Sequence, residues 1–255
     1  KKLYAHMMEV YAACLAYVRN RLIIDAGERL AMAAADIADT LDRVLFERYG
    51  DIHMLADAFP GKMRDAAALT RYLNRMKERY LLYRWLGVTD ANGRIVASTD
   101  PASVGTDRSG DAWFQAVRAG RSAHMADFSI SEETGEVRAV GFSAPIIDAQ
   151  GTFLGVVTTR VGLSELEDIC TRIISRLQKQ LGGSGKVEWQ FLRHDGKLIA
   201  DSLLREEGKV NLQQLQVPSA LLGLLGEPGY VEEIHARRGV PVVTGYARTE
   251  GYAEF

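Results

Sequence analysis

Between Leu30 and Leu55, apolar side chains recur at spacings of mostly three and four, the pattern of an amphipathic helix, and no proline interrupts Leu3 to Leu55. At 1.5 Å per residue such a helix would be on the order of 70 Å long, even with a break near Gly27 or Gly50. That length exceeds one small domain, which predicts a spine for more than one packed unit, or a lever. Two ordinary helices of a bundle are the alternative. The apolar stripe consists of Leu30, Ala34, Ile37, Leu41, Val44, Leu45, Ile52 and Leu55.

After Pro60-Gly61, residues 63–82 carry a second helical pattern, and beyond Tyr83 the apolar period becomes that of alternating strands. Turn signals such as Asp90-Ala91-Asn92-Gly93 and Asp148-Ala149-Gln150-Gly151 separate the strands. The pattern predicts a five-stranded antiparallel sheet. Its strands are 85–89, 94–98, 123–129, 137–144 and 153–161, with a loop and short helix at 104–119, a longer helix at 163–181 and a flexible linker at 182–185.

The sequence after the linker repeats features of the sequence before it. Two sets of positions match at offsets of 103 and 104 residues, which predicts two copies of one strand-rich module. The second copy is expected to be incomplete, because its last strand would fall beyond Phe255. The matched positions are Asn92-Gly93-Arg94-Ile95-Val96-Ala97 with Asp195-Gly196-Lys197-Leu198-Ile199-Ala200, and Gly135 and Gly141 with Gly239 and Gly245.

Composition narrows the class of protein. The 255 residues are 47% hydrophobic and 25% charged, as in an ordinary globular chain that buries a core. A net charge of -2 gives no positive excess for holding a phosphate backbone, so we expect no nucleic-acid partner.

Cys14 and Cys170 lie in no CxxC pattern, which excludes a disulfide scaffold and a zinc ribbon. The sequence carries no GxSxG, HExxH, Walker A or GxGxxG signature, which argues against an enzyme.

Four phrases carry a family resemblance: Leu-Gly-Val-Thr-Asp-x-x-Gly-Arg-Ile-Val-Ala-Ser-Thr-Asp at 86–100, Ala-Trp-Phe-Gln-Ala-Val at 112–117, Ser-Ala-Pro-Ile at 143–146 and Gly-Thr-Phe-Leu-Gly-Val-Val at 151–157. Together with the long helix and two PAS-like sheets, they resemble the double Cache sensor family. The resemblance implies an α+β fold in which a long N-terminal helix precedes two tandem antiparallel-sheet modules. The implied parts are a helical spine at 1–59, a membrane-distal Cache module at 60–182 and an incomplete membrane-proximal module at 183–255.

The resemblance also implies a biological role. Double Cache domains are extracytoplasmic input domains of bacterial or archaeal transmembrane receptors, whose output is a histidine kinase, a diguanylate cyclase or a chemoreceptor signalling coil. We therefore expect a non-enzymatic, periplasmic or extracellular sensor fragment, joined to the membrane through segments outside this chain. The Lys-Lys start fits a fragment, and Leu3 to Val18 falls short of a bilayer span. A homodimer along the first helix is expected by analogy.

The candidate ligand site comes from one position of the family motif. In the amino-acid-binding branch, an arginine two residues before the tryptophan holds the ligand carboxylate, and an aspartate near the end of the last strand holds the ammonium. This chain has Asp111 before Trp113, and Arg160 on the strand, so both charges are reversed. Asp111 and Arg160 either bind a polar or zwitterionic molecule in the opposite sense or pair with each other and close the site. A surface arginine is the third possibility.

We expect a small polar solute, such as a carboxylate or zwitterion, between the central sheet and the loop 106–114. Trp113 is the predicted wall of the site, while core packing is the default for Phe114. Acidic pairs such as Glu132-Glu133 are interpreted as solvated turns, so neither a metal nor a cofactor is expected. A structural spacer or docking module without a small ligand is the alternative function. The predicted ligand contacts are Arg108, Asp111, Trp113, Phe114, Asp127, Ser129, Thr158 and Arg160.

Overall fold

The computed structural model describes residues 2–130, 138–162, 164–182, 186–203, 206 and 208–251, and describes the backbone alone for residues 2, 3, 127–130, 164 and 165. The chain divides into two compact units. The hairpin unit comprises Lys1–Asp42 and Ile169–Glu250, and the sheet unit comprises Arg43–Asp168 and Gly251–Phe255. The sequence-based domain limits at 59 and 182 stay predictions.

A single helix, α1, runs from Lys2 to Ala58. The predicted helix is confirmed as one continuous element, and the alternative of two helices in a bundle is wrong. Gly27 and Gly50 lie inside α1 without ending it, and a Cβ at Gly27 would lie 2.2 Å from the ring of Tyr230. Glycine at 27 therefore makes room for the tyrosine. Among the described residues, no helix combines the length and the apolar character that a membrane crossing requires.

The sheet unit is built on the five-stranded antiparallel sheet that the sequence predicts. Helix α2 (Ala66–Arg79) precedes the sheet and is capped by Asp65, whose carboxylate accepts a hydrogen bond from the Ala68 N–H at 2.8 Å. Helix α3 (Ala112–Gly120) connects the second strand to the third. The strands, in the spatial order β2-β1-β5-β4-β3, are β1 (Tyr83–Thr89), β2 (Ile95–Ser98), β3 (His124–Ile130), β4 (Arg138–Ile147) and β5 (Phe153–Gly162).

Helix α3 covers one face of this sheet. Because side chains alternate along a strand, the even-numbered residues from Val156 to Arg160 of β5 share one face. Trp113, Phe114 and Val117 of α3 pack against Val156, which lies on that face. Hydrogen bonds hold the loop that leads into α3 to the edge strand, since the Ile95 N–H donates to the Thr106 carbonyl at 3.0 Å. The loop and α3 are thereby fixed over the even-numbered side of β5.

The hairpin unit combines residues 2–42 of α1 with most of helix α4 (Ser164–Gln180), two β-hairpins and a short helix. Its core brings Ile37 of α1 and Cys170 of α4 against Trp189 and Ala200. A Cβ at Gly245 would lie 2.3 Å from the backbone of Leu30, so the second hairpin lies directly on α1. The remaining elements are β6 (Gln190–Leu192), β7 (Leu198–Asp201), α5 (Pro218–Leu222), β8 (Gly229–Ile234) and β9 (Pro241–Tyr246).

A buried ion pair joins the two hairpins of this unit. Arg237, in the turn between β8 and β9, donates to the Asp201 carboxylate at 2.5 Å and to Glu206 at 3.1 Å. Asp201 is completely buried. Loss of either partner would leave an unpaired charge in the interior, so this pair links the turn after β8 to the end of β7.

Hydrogen bonds around the repeated hairpin motif also repeat. The motif that begins at Asn92 and the one that begins at Asp195 therefore share local backbone bonding, whereas the equivalence of two complete modules stays a prediction. Gly135 lies outside the described residues, and Gly141 and Gly245 lie in β4 and β9. The matched donor–acceptor pairs are Ile95 to Thr106 with Leu198 to Val210, Gly105 to Ile95 with Gly208 to Leu198, and Thr99 to Leu86 with Ser202 to Trp189.

Candidate ligand-binding site

Three neighbouring strands bring small and polar residues together on the face beneath α3. Arg160 of β5 lies opposite Trp85 of β1 on one side and opposite Gly141 of β4 on the other. In the next row, Ser143 of β4 lies opposite Thr158 of β5, and their hydroxyl oxygens are 2.8 Å apart. Both hydroxyl residues are buried. A charged group and a pair of hydroxyls thus lie side by side on a largely buried sheet face.

Arg160 is the centre of this arrangement. Only 6% of its surface is exposed, and its Nη1 donates to Thr158 Oγ1 at 2.8 Å and to the Thr159 carbonyl at 3.0 Å. The guanidinium carbon lies 5.4 Å from the ring centroid of Trp85 and 5.6 Å from that of Trp113, within the range of cation–π attraction. The expectation that Arg160 and Thr158 share a face beside Trp113 is confirmed, and the possibility of a surface arginine is wrong.

Glycines on the neighbouring strands make room for the two largest side chains of the face. A Cβ at Gly141 would lie 3.1 Å from Arg160 Nη1, and a Cβ at Gly87 would lie 2.4 Å from the Trp85 ring. Trp85 also donates from Nε1 to Ser103 Oγ at 3.4 Å. The missing side chains let the guanidinium and the indole lie flat along the sheet.

The loop before α3 carries a second polar group. Trp113 Nε1 donates to Asp111 Oδ2 at 3.0 Å, and the same oxygen is 3.7 Å from Arg108 Nη1. The Asp111 side chain is 34% exposed and that of Arg108 is 28% exposed, so both remain open to solvent at the rim. Within the described contacts, the cation beside Asp111 is Arg108, and the predicted closure of the site by an Asp111–Arg160 pair is not observed.

Three other predicted contacts have different outcomes. Phe114 is completely buried and packs against Phe153, with ring centroids 6.4 Å apart. It therefore supports α3 from the core, as its default interpretation states, and does not offer a surface to a ligand. The side chains of Asp127 and Ser129 lie outside the part of the chain that the structure describes.

Sequence reasoning missed Trp85 and Ser143. Each is separated from Arg160 by more than ten positions along the chain and comes close to it only through strand register. A tryptophan at the start of an apolar strand looks like a core residue, and a serine in a buried strand gives no signal of its own. The pointers to this face that the sequence did give were Arg160 in the last strand and the Trp113 motif position.

Solved structures with a similar fold include ligand-binding and sensor domains of receptors. The extracellular ligand binding receptor from Desulfohalobium retbaense DSM5692 has a TM-score of 0.59 at 18% identity, over 87% of this chain and 38% of that chain. The amino acid chemoreceptor PctC of Pseudomonas aeruginosa PAO1, solved with GABA, has a TM-score of 0.59 at 19% identity, over 82% and 88%. The sensor domain of the V. cholerae histidine kinase DctB has a TM-score of 0.52 at 17% identity, over 77% and 74%.

These identities establish the fold alone, and no curated protein matches the sequence. The present chain spans about two fifths of the Desulfohalobium receptor. The family match spans nearly the whole chain, because the Cache domain model dCache_1 covers residues 18–253. The resemblance seen in the sequence motifs is thereby confirmed: the chain belongs to the Cache domain family.

Proposed function

We propose that this chain is the extracytoplasmic ligand-sensing domain of a signal-transduction receptor and that it binds a small carboxylate-bearing solute beside Arg160. The observation that carries the proposal is the buried guanidinium, which lies against two indole rings and next to paired hydroxyls. Two structures of the same fold are described as complexes with GABA and L-serine, and both of these molecules carry a carboxylate. The domain itself is non-catalytic in this proposal.

The chemistry of the face favours an anionic group. A guanidinium presents a planar fork of N–H donors that matches a carboxylate, and its hydrogen bonds are stronger where water is scarce. Thr158 holds one edge of the Arg160 fork, which fixes its orientation before a ligand arrives. At the rim, Asp111 and Arg108 supply an acceptor and a donor for the polar end of the same molecule.

The response would be a population shift. A ligand that contacts both Arg160 and the α3 side of the site stabilises the arrangement in which α3 is closed on the sheet. A histidine kinase is our first choice for the output domain, with a diguanylate cyclase and a chemoreceptor as the alternatives. The membrane segments and the output lie outside residues 1–255 in this proposal.

A thermal-shift screen tests the ligand. The panel contains GABA, L-serine, succinate and acetate as carboxylates, and putrescine and choline as cations without a carboxylate. A ligand at 100 times its dissociation constant adds roughly 2.7 kcal/mol to the free energy of unfolding. Arg160→Met should abolish stabilisation by a carboxylate, whereas Arg118→Met, at an exposed arginine of α3, should retain it.

Two results would overturn the ligand proposal. One is stabilisation by a carboxylate that is equal in the wild type and in Arg160→Met. The other is a wild-type protein that no member of the panel stabilises, which would favour the alternative of a spacer or docking module.

We also propose that the receptor is a homodimer along the start of α1. Every described side chain from Tyr4 to Leu22 is exposed. Large apolar residues recur there at alternating spacings of four and three, which is the heptad spacing of a two-stranded coiled coil. A helix with such a stripe and no partner would be poorly stable in water. The stripe consists of Tyr4, Met8, Tyr11, Leu15, Val18 and Leu22.

Sedimentation analysis tests the dimer. Leu15→Lys lies on the stripe and should shift the protein from dimer to monomer. Val10→Lys is a matched control, because Val10 is equally exposed and lies off the stripe. A wild-type monomer at all concentrations, or equal dissociation by both substitutions, would contradict this interface.

A further inference from the structure

Strand β1 contains a bulge that separates two aromatic side chains. Tyr83 lies opposite Val161 and Trp85 lies opposite Arg160, so two steps along β1 correspond to one step along β5. Residues two apart in a regular strand share a face, and a bulge re-aims one of them. Tyr83 and Trp85 therefore lie on opposite faces of the sheet, although only Arg84 separates them in sequence.

Gly162, next to the bulge on β5, makes room for the inserted residue. A Cβ at Gly162 would lie 2.6 Å from Arg84 Nε and 3.0 Å from Arg84 Cγ. The side chain of the inserted residue thus occupies the space that a larger residue at 162 would need. The bulge is therefore stabilised by packing against β5 and is not a frayed end of β1.

Each of the two aromatic residues has a specific partner. On the ligand face, Trp85 lies against the Arg160 guanidinium. On the other face, Tyr83 Oη donates to Asp51 Oδ2 of α1 at 2.7 Å, and Arg48 Nε lies 3.1 Å from the same oxygen. Tyr83 is only 2% exposed. Burial, followed by the hydrogen bond to Asp51, raises the pKa of Tyr83, so the tyrosine keeps its donor proton even at alkaline pH.

We infer that the bulge is a mechanical connection from the ligand site to α1, and that Tyr83 transmits the position of Trp85 to Asp51. A group that binds Arg160 changes the contact between its guanidinium and the Trp85 ring. Because the intervening backbone is a single bulged residue, a shift of Trp85 moves the Tyr83 Cα. The Tyr83–Asp51 hydrogen bond then lengthens or shortens, which changes the stability of the last turns of α1. The first step, in which a ligand binds Arg160, rests on the proposed function. The coupling of Trp85 to Asp51 through Tyr83 does not depend on a ligand.

Hydrogen–deuterium exchange of α1 tests the connection without a ligand. Arg160→Met removes the charge beneath Trp85, and the backbone amides of residues 48–56 should then exchange about fivefold faster, the effect of one weakened hydrogen bond. Tyr83→Phe cuts the connection and should by itself accelerate the same amides. In the Tyr83→Phe background, Arg160→Met should have no further effect on residues 48–56, since the two changes act through one bond.

A control at a neighbouring tyrosine shows whether the effect is specific to the Tyr83 hydroxyl. Tyr80→Phe alters a neighbouring tyrosine that is 46% exposed and packs on Tyr83, and in that background the effect of Arg160→Met should persist. Trp85→Phe replaces Arg160→Met if the latter does not fold. The inference is wrong if the site substitutions leave the α1 amides unchanged, or if they accelerate them equally with and without the Tyr83 hydroxyl. Failure of the thermal-shift screen would instead count against the ligand alone.

Discussion

The same substitution at two glycines of α1 should have opposite effects. No atom lies within 4 Å of a Cβ placed at Gly50, so Gly50→Ala gains helix propensity alone, about 0.8 to 1 kcal/mol. Gly27→Ala has the same gain, but its Cβ would lie 2.2 Å from Tyr230 Cδ2 and 2.4 Å from Cγ. Ordinary contacts begin at 3.4 Å, and overpacking of this kind costs about 1 to 3 kcal/mol. The expected net effect of Gly27→Ala is a loss of up to about 2 kcal/mol.

Differential scanning calorimetry distinguishes the two outcomes. For a chain of this size, 1 kcal/mol corresponds to roughly 2 to 4 °C in Tm. Gly50→Ala should raise the Tm and Gly27→Ala should lower it. In a Tyr230→Ala background the obstruction is gone, so the penalty of Gly27→Ala should disappear and the two changes should be strongly non-additive. An equal rise in Tm for both alanine variants would refute the packing of Tyr230 on α1.

Three further outcomes follow from buried groups. Asp201→Asn leaves the Arg237 guanidinium with a weakened partner in the interior and should lower the free energy of unfolding in urea by about 3 kcal/mol. Adding Arg237→Met to this variant should restore part of the loss, and fully additive effects of the two substitutions would argue against the pair. The raised pKa of Tyr83 keeps its proton in the folded state while the unfolded tyrosine ionises near its ordinary value of about 10. The stabilisation that Tyr83 gives the folded state is therefore complete below about pH 10 and declines as the pH rises further. Tyr83→Phe should make the free energy of unfolding, measured by chemical denaturation, fall less steeply above about pH 10, and an unchanged slope would contradict this role of the hydroxyl. Phe114→Ala should cost about 3 to 5 kcal/mol by chemical denaturation, and a loss below about 1 kcal/mol would contradict its place in the core.

The helices and hairpins were predictable because their signals are local. The uninterrupted apolar period before Pro60 predicts a helix, and α1 ends two residues before that proline. The Asp148 turn holds its hairpin by accepting hydrogen bonds from the N–H groups of Gln150 and Thr152, which is why an Asp-x-x-Gly turn is visible from sequence. Whether α1 was one helix or two was not decidable locally. Glycine lowers helix propensity, yet neither Gly27 nor Gly50 ends α1, and the side chain that requires glycine at 27, Tyr230, lies far along the chain.

The candidate site was only partly predictable. The parity of β5 predicted that Thr158 and Arg160 share a face, and their hydrogen bond confirms this. The bulge in β1 has no sequence signal, because alternation assigns Tyr83 and Trp85 to one face. Register between distant strands, and not the period of any single strand, decides which side chains meet Arg160.

The glycines beside large side chains affect how variants of this sheet are understood. Gly141 with Arg160, and Gly87 with Trp85, each share a fixed volume between two positions. An alanine at 141 is expected to be tolerated only if residue 160 becomes shorter, so neither position can be interpreted from its own side chain. The same relation is useful for redesign. Enlarging the glycine and shortening its partner within one pair changes the shape of the sheet face beneath α3 while the spacing of the strands is preserved.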